Sequence, residues 1–205
     1  MTPIYHITHM RNFERIIAGG GLVCDRKAQD VPHARIGHQH IKDRRMQRPV
    51  PLPPGGTLGD YVPFYFAPRS PMLYVIQKGQ VEGYAGGQSE VVHLVSTVEA
   101  ADKANLRWVF TEGHAVILFT GFFNDLQDLG RIDWAVMRSR YWFDTNDDPD
   151  RERRRQAEFL VHDFFPWELI SHIGVCNRDT QLLVAQALEN SRHKPSAAVE
   201  RSWYY

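Results

Sequence analysis

The run Tyr5-His6-Ile7-Thr8, followed by apolar positions at helical spacing and then Gly19-Gly20-Gly21, constrains this chain most. Ile4 to Ile7 reads as a strand, and Phe13, Ile16 and Ile17 repeat with the period of a helix over Asn12 to Ala18. Glycine accepts the left-handed backbone that stops a helix, so the three glycines end it. His6 and Thr8 then lie in one unit with Gly21 and Leu22. Imidazole offers one donor and one acceptor, which suits a pair of neighbouring hydroxyls. A lone histidine in an apolar strand is more often a satisfied core residue, so this reading needs partners elsewhere in the chain.

Two distant segments supply them. Tyr61 to Phe66 is aromatic and apolar, hence strand-like. Ser70-Pro71 opens a helix after it, with serine at the cap and proline at the first helical position. Tyr65 and Phe66 offer rings for stacking, and Ser70 and Tyr74 offer hydroxyls. The second segment is Ala157-Glu158-Phe159-Leu160-Val161, with one carboxylate in an apolar strand. Strand residues alternate faces, so Glu158 shares a face with Leu160. Such a glutamate sits at an exposed edge or faces a cleft. In a cleft it can accept from a sugar hydroxyl, stabilise positive charge, or take a proton.

The remaining elements follow from pattern. Ile36 to Gln47 reads as a basic helix. Pro49 to Gly56, with four prolines and two glycines, reads as a loop. Val91 to Val95, Trp108 to Phe110, Ile170 to Cys176 and Ala198 to Tyr205 read as strands. Phe122 to Leu129 and Thr180 to Leu188 read as helices. Arg138 to Arg155 reads as a long exposed loop leading into the Glu158 strand, and loops of that length are often functional. Strands and helices in this order indicate an α+β fold.

The 205 residues are expected to form a single domain, 1–205, and 43% hydrophobic content suits a packed core. No apolar run approaches the roughly 20 residues that span a bilayer, and the N-terminus lacks a leader pattern, so no membrane association and a cytoplasmic location are expected. Cys24 and Cys176 are far apart, which argues against a disulfide scaffold or a cysteine metal site. Formal net charge is zero. Arginine nonetheless clusters at 35–48 and 151–155, and its planar fork pairs phosphate oxygens and stacks on bases.

Taken together, Tyr-His-x-Thr with the later Gly-Leu, the run Asp60-Tyr61-Val62-Pro63-Phe64-Tyr65-Phe66, the run Pro68-Arg69-Ser70-Pro71-Met72-Leu73-Tyr74, and Gln156-Ala157-Glu158-Phe159-Leu160-Val161 resemble the ADP-ribosyltransferase superfamily of the histidine–tyrosine–glutamate type. His40 to Arg45, Pro53 to Gly56 and the ending Trp203-Tyr204-Tyr205 narrow the resemblance to the DarT family of toxins, the DNA ADP-ribosyltransferases of toxin–antitoxin pairs. The resemblance implies an ADP-ribosyltransferase-like fold of central mixed sheets flanked by helices. It implies an enzyme that consumes NAD as co-substrate, needs no metal, and transfers ADP-ribose to N3 of thymine in single-stranded DNA, sequence-specifically. It implies Glu158 and Arg45 as catalytic residues. His6, Thr8, Gly21 and Leu22 would lie along NAD, with Tyr65, Phe66, Ser70 and Tyr74 toward nicotinamide. His114, Arg153 and Arg154 would face the DNA, and the loop before Glu158 would recognise substrate. The implied partner is a macrodomain antitoxin, DarG-like, that removes the modification.

Four other readings stay open at this level. Guanine or RNA could be the acceptor, or an RNA 2′-phosphotransferase could share the fold, although the late strand glutamate counts against that. His33, His38 and His40 could suggest a metal-dependent nuclease, but their spacing lacks a helical ligand pair. A non-catalytic nucleic-acid binder would use the arginine clusters alone.

Overall fold

The computed structural model describes residues 1–29 and 32–205. Its strands are β1 (Pro3–His9), β2 (Gly21–Val23), β3 (Tyr61–Tyr65), β4 (Val91–Thr97), β5 (Trp108–His114), β6 (Phe122–Phe123), β7 (Ala157–His162), β8 (Phe164–Pro166), β9 (His172–Val175) and β10 (Ser196–Val199). The helices are α1 (Phe13–Ala18), α2 (Asp25–Ala28), α3 (Gln39–Gln47), α4 (Pro71–Gln77), α5 (Val98–Lys103), α6 (Trp134–Arg138), α7 (Arg151–Arg155) and α8 (Arg178–Leu188). The large sheet has the order β10-β9-β4-β1-β3-β7-β5-β6, and β2 pairs with β8 in a small second sheet. Among the described residues only the β10–β9 pairing is parallel, so the sheet is mixed and the fold is α+β.

Period-two alternation puts the core where the sequence demands. On β7, Ala157, Phe159 and Val161 join the main apolar cluster with Phe13, Phe64 and Phe110. Leu160 faces the other way, against Tyr61 and Val109. Glu158 shares that second face, as its spacing from Leu160 requires.

The two central ladders differ sharply. β1 pairs with β4 through seven consecutive positions, but with β3 only at Tyr5↔Tyr65. The cause lies in β3. Pro63 has no N–H to donate, so the β1–β3 ladder cannot continue past it. The His6 ring enters the gap, and its Nδ1 lies 2.8 Å from the Pro63 carbonyl. The sheet therefore opens beside its own centre.

Gly21 closes the rim of this opening. Its φ is +154°, and an added Cβ would meet the Phe165 carbonyl oxygen at 2.1 Å. Only glycine lets β2 pair this closely with β8, through Gly21↔Pro166.

Three expected elements take another form. Phe122 to Leu129 is not a helix. Phe123 pairs with Phe110 and stacks on its ring at 5.2 Å, and Asp125 then caps a 3₁₀ turn from Leu126 to Arg131 by accepting from the Gln127 N–H. The segment Arg138 to Arg155 is not wholly exposed. Trp142 and Arg155 are buried, and the segment ends in α7. The last strand stops at Val199, and Arg201–Trp203 forms a 3₁₀ turn, because the chain must turn to seat Tyr204 under β4 and β9.

The Tyr204 hydroxyl has three acceptors within reach: the carbonyls of Val91 at 2.8 Å and Gly174 at 3.1 Å, and His93 Nδ1 at 3.1 Å. Burial lowers the His93 pKa to about 4, against the opposing Pro68 carbonyl, so the ring is neutral. Its Nε2–H then donates to Pro68 at 2.9 Å and Nδ1 is an acceptor. Tyr204→Phe leaves these buried acceptors short of a donor and is expected to cost about 1–3 kcal/mol. Urea unfolding measures the loss, and an unchanged midpoint would show that the hydroxyl contributes nothing.

Candidate active site

The opening beside β3 is a cleft of about 390 Å³, within the range of about 300–1,000 Å³ typical of ligand sites. His6 and Thr8 line it from β1, Gly21 and Leu22 from β2, and Tyr65 and Glu158 from the paired ends of β3 and β7. Tyr65 and Glu158 are direct cross-strand partners, so their side chains share a face.

Glu158 is 3% exposed, and each of its oxygens has partners. Oε2 accepts from Arg45 Nη1 at 2.6 Å. Oε1 accepts from the Ala115 backbone N–H at 3.2 Å and lies 3.5 Å from His114 Nδ1. A bulge supplies that second pair of contacts. β5 pairs with β7 at Phe110↔Phe159 and again at His114↔Ala157, so the intervening β5 residues bow out of register. The Thr111 hydroxyl bonds the Gly113 carbonyl at 2.7 Å inside the bulge and also accepts from the Glu158 N–H. Burial alone would push the Glu158 carboxyl up. Arg45 and His114 outweigh it and hold the group well below the usual carboxylate range.

Arg45 comes from an unusual helix. α3 has no apolar face, and Arg45 is its only buried residue. Its buried contacts are polar. Arg45 reaches Glu158, and its Nε lies 3.5 Å from Asp25. Burial works against the guanidinium charge, but Glu158 and Asp25 overcome it and raise the Arg45 pKa. Its Nε and Nη2 make no hydrogen bond. Buried donors without acceptors are costly, and here they border a cleft, so they are ready to take a ligand oxygen.

His6 is neutral because burial lowers its pKa. Donation from Nδ1 to Pro63 leaves Nε2 with a free lone pair, the acceptor a sugar hydroxyl requires. Asn12 straps the far wall. Its Nδ2 donates to the Thr8 hydroxyl at 3.2 Å and the Ala34 carbonyl at 2.9 Å, while its Oδ1 accepts from the Ala34 N–H at 2.8 Å.

The structure thus brings together His6, Thr8, Gly21, Leu22, Tyr65, Arg45, Glu158 and His114 around one cleft. Phe66, Ser70 and Tyr74 do not line it. Phe66 follows Tyr65 and so points to the opposite face, among Phe110, Trp134 and Phe159. The Ser70 hydroxyl caps α4 by accepting from the Leu73 N–H at 3.1 Å. Tyr74 packs among Trp142, Phe143 and Tyr205. Arg153 and Arg154, expected to face nucleic acid, give their donors to carboxylates. Arg153 pairs with Glu112 and Asp150, and Arg154 with Asp133, Asp148 and Asp150. His114, expected toward DNA, stands beside the Glu158 carboxylate. The sequence reading missed Asn12, Asp25 and Lys42, which also line the cleft. Each is an ordinary polar residue next to a helix or within one. Only Asp25, close after Gly21-Leu22, carried a usable signal.

No group of three or more His, Cys, Asp or Glu residues that could hold a metal occurs among the described residues. A cleft at a broken central ladder, floored by an anionic glutamate under a charged arginine and bordered by a neutral histidine, defines an ADP-ribosyltransferase-type site. The model of the family described as ssDNA thymidine ADP-ribosyltransferase, DarT, matches residues 5–205, and the chain belongs to that family. A DNA ADP-ribosyl transferase of Thermus sp. (strain 2.9) is 44% identical over 207 residues, covering 100% of this chain and 96% of the relative. The solved structure of Thermus sp. 2.9 DarT in complex with ADP-ribosylated ssDNA superposes with a TM-score of 0.93 at 43% identity, covering 100% of this chain and 96% of that one. The same DarT in complex with NAD+ gives 0.89 at 40% identity, covering 100% and 98%. The chain is an NAD-dependent DNA ADP-ribosyltransferase.

The Glu158 environment makes a pH prediction. Its folded pKa lies below the unfolded value, so the pair contributes stability that is present above about pH 4.5 and lost as pH falls toward about 2. Arg45→Met removes the charge that opposes burial, so the folded pKa rises and this acid-side loss shrinks. The check is the difference in unfolding free energy, wild type minus variant, followed across the acid range. A difference independent of pH would mean that Arg45 does not set the Glu158 pKa.

Proposed function

We propose that Glu158 and Arg45 carry the transfer of ADP-ribose from NAD to N3 of thymine in single-stranded DNA. The observation that carries this reading is the buried Arg45–Glu158 contact of 2.6 Å, set in the cleft between His6 and Tyr65. NAD, when bound, supplies the ribose carbon whose bond to nicotinamide breaks, the electron pair leaving with nicotinamide. His6 and Thr8 hold ribose hydroxyls through the free Nε2 and the threonine oxygen. Glu158, anionic at neutral pH, stabilises the positive charge that develops on the sugar.

Thymine N3 is a poor nucleophile while protonated. The free Nη2 of Arg45 donates to a thymine carbonyl and favours loss of the N3 proton. As Arg45 turns its donors to the base, it releases its hold on the Glu158 pKa. Burial then raises the basicity of the carboxylate, which takes the proton as N3 bonds the ribose carbon. An unpaired strand is required because base pairing covers the N3–H edge.

Two settings accompany this reading. No helix among the described residues is long and apolar enough to cross a membrane, and we place the enzyme in the cytoplasm, beside NAD and single-stranded DNA. Its partner is a macrodomain antitoxin that hydrolyses the thymine–ribose bond.

Glu158→Gln keeps the shape of the side chain but removes its charge and basicity. The expected result is a fall in thymine labelling on the order of 10³-fold, read by mass spectrometry of short oligonucleotides after incubation with NAD. Undiminished labelling would remove Glu158 from the mechanism, and ADP-ribose on guanine or on RNA would overturn the acceptor.

A further inference from the structure

We propose that Phe119, with Leu118 beside it, is a stacking platform for a base flanking the target thymine. This deepens the reading above and rests on its single-stranded DNA substrate.

Leu118 is 81% exposed and Phe119 74% exposed. Large apolar side chains at that exposure are ordinary when they sit on a free loop, but this loop is clamped on every side. Arg44 donates to the Val116 carbonyl at 3.3 Å, and Arg48 donates to the carbonyls of Ile117 at 3.3 Å and Leu118 at 3.0 Å. The base of the loop is closed from within. The Ile117 N–H bonds the His114 carbonyl at 3.0 Å, and so does the Thr120 hydroxyl at 2.9 Å. On the far side Arg153 donates to the Thr120 hydroxyl at 3.2 Å, and its guanidinium lies 5.1 Å from the centre of the Phe119 ring. Six hydrogen bonds and a cation–π contact thus hold two apolar side chains out in water. Such order around an exposed apolar tip marks a binding surface.

Its place identifies the occupant. The loop begins at His114 and Ala115, which are the groups on Glu158 Oε1. Because Thr120 is tied back to His114, the Phe119 Cα lies on the order of 10 Å from the site, about the span of the intervening chain. Two of the arginines that clamp the loop, Arg44 within α3 and Arg48 at its C-terminal end, come from the helix that also carries Arg45 to Glu158. Platform and reaction centre are therefore fixed to one helix. An aromatic ring backed by arginine, next to exposed Arg44 and half-buried Arg48, offers a π-face and positive charge together. That pairing is complementary to a base and its phosphate. Arg153 is then a positioning residue: it gives four of its five donors to Glu112, Asp150 and Thr120 and presents the Phe119 ring, rather than contacting phosphate itself.

The test is a coupling cycle on short single strands with one central thymine. Binding by fluorescence anisotropy is measured for wild type and Phe119→Ala, each with an intact strand and with strands carrying an abasic residue on the 5′ or the 3′ side of the thymine. Stacking predicts that Phe119→Ala weakens the intact strand on the order of tenfold. One of the two abasic strands should weaken wild-type binding by a similar factor, and the two changes together should cost little more than either alone. Phe119→Trp should retain wild-type affinity. Because the ring is exposed, neither substitution should alter the unfolding midpoint. Unchanged affinity in Phe119→Ala, or losses that multiply independently at both flanks, would overturn the platform. Failure of the Glu158 mechanism shows separately, as undiminished labelling with Glu158→Gln at unchanged DNA affinity.

Discussion

A buried pair of opposite charges, Arg45 and Glu158, holds the site together. It spans 113 positions of sequence and ties α3, a helix with no apolar face, to β7. Breaking such a pair is costly because it strands a charge away from water. Here the pair is kept at the edge of a cleft, where a substrate can relieve it. Two arginine nitrogens without hydrogen bonds show that the arrangement is incomplete as a purely structural device.

The backbone prepares the place for that pair. Proline in the middle of β3 interrupts the ladder to β1, and the His6 ring spans the interruption. On the other side of β3, pairing with β7 continues without a break and sets Glu158 opposite Tyr65. The bulge in β5 then turns a backbone N–H and an imidazole toward the carboxylate. The fixed glutamate follows from that regular pairing, and the cleft and the anion-stabilising corner from two local departures from regular sheet structure. Each is the kind of irregularity that natural sheets keep beside functional sites.

The arginines divide by what they touch. Arg44 and Arg45 lie on α3 and Arg48 caps its end, and each fixes something at the site: loop carbonyls or the glutamate. Arg153, Arg154 and Arg155 are held by carboxylates and carbonyls before any nucleic acid arrives. Arg155 alone donates to the carbonyls of Val136, Met137, Ser139 and Arg69, and burial lowers its pKa. These residues shape the segment before β7 rather than provide a free basic surface.

Much of this was legible in the chain. Alternation around Glu158 assigned its face, the apolar spacing and glycines after His6 assigned the first unit, and Ser70-Pro71 marked a helix start, because these depend on local backbone geometry. The motif residues Glu158, Arg45, His6, Thr8, Gly21 and Leu22 converge on one cleft. Phe66, Ser70 and Tyr74 do not, because strand alternation, a helix cap and an aromatic cluster claim them, and neighbours in sequence need not share a face. The fate of Arg153 and Arg154 was hidden as well, since an arginine's partners are set by whichever carboxylates the fold brings near. Local sequence therefore determined the elements and which residue types were available for chemistry. Tertiary structure decided which of them share a solvent-excluded space, where desolvation and a facing charge, both absent from an extended chain, act on a glutamate together.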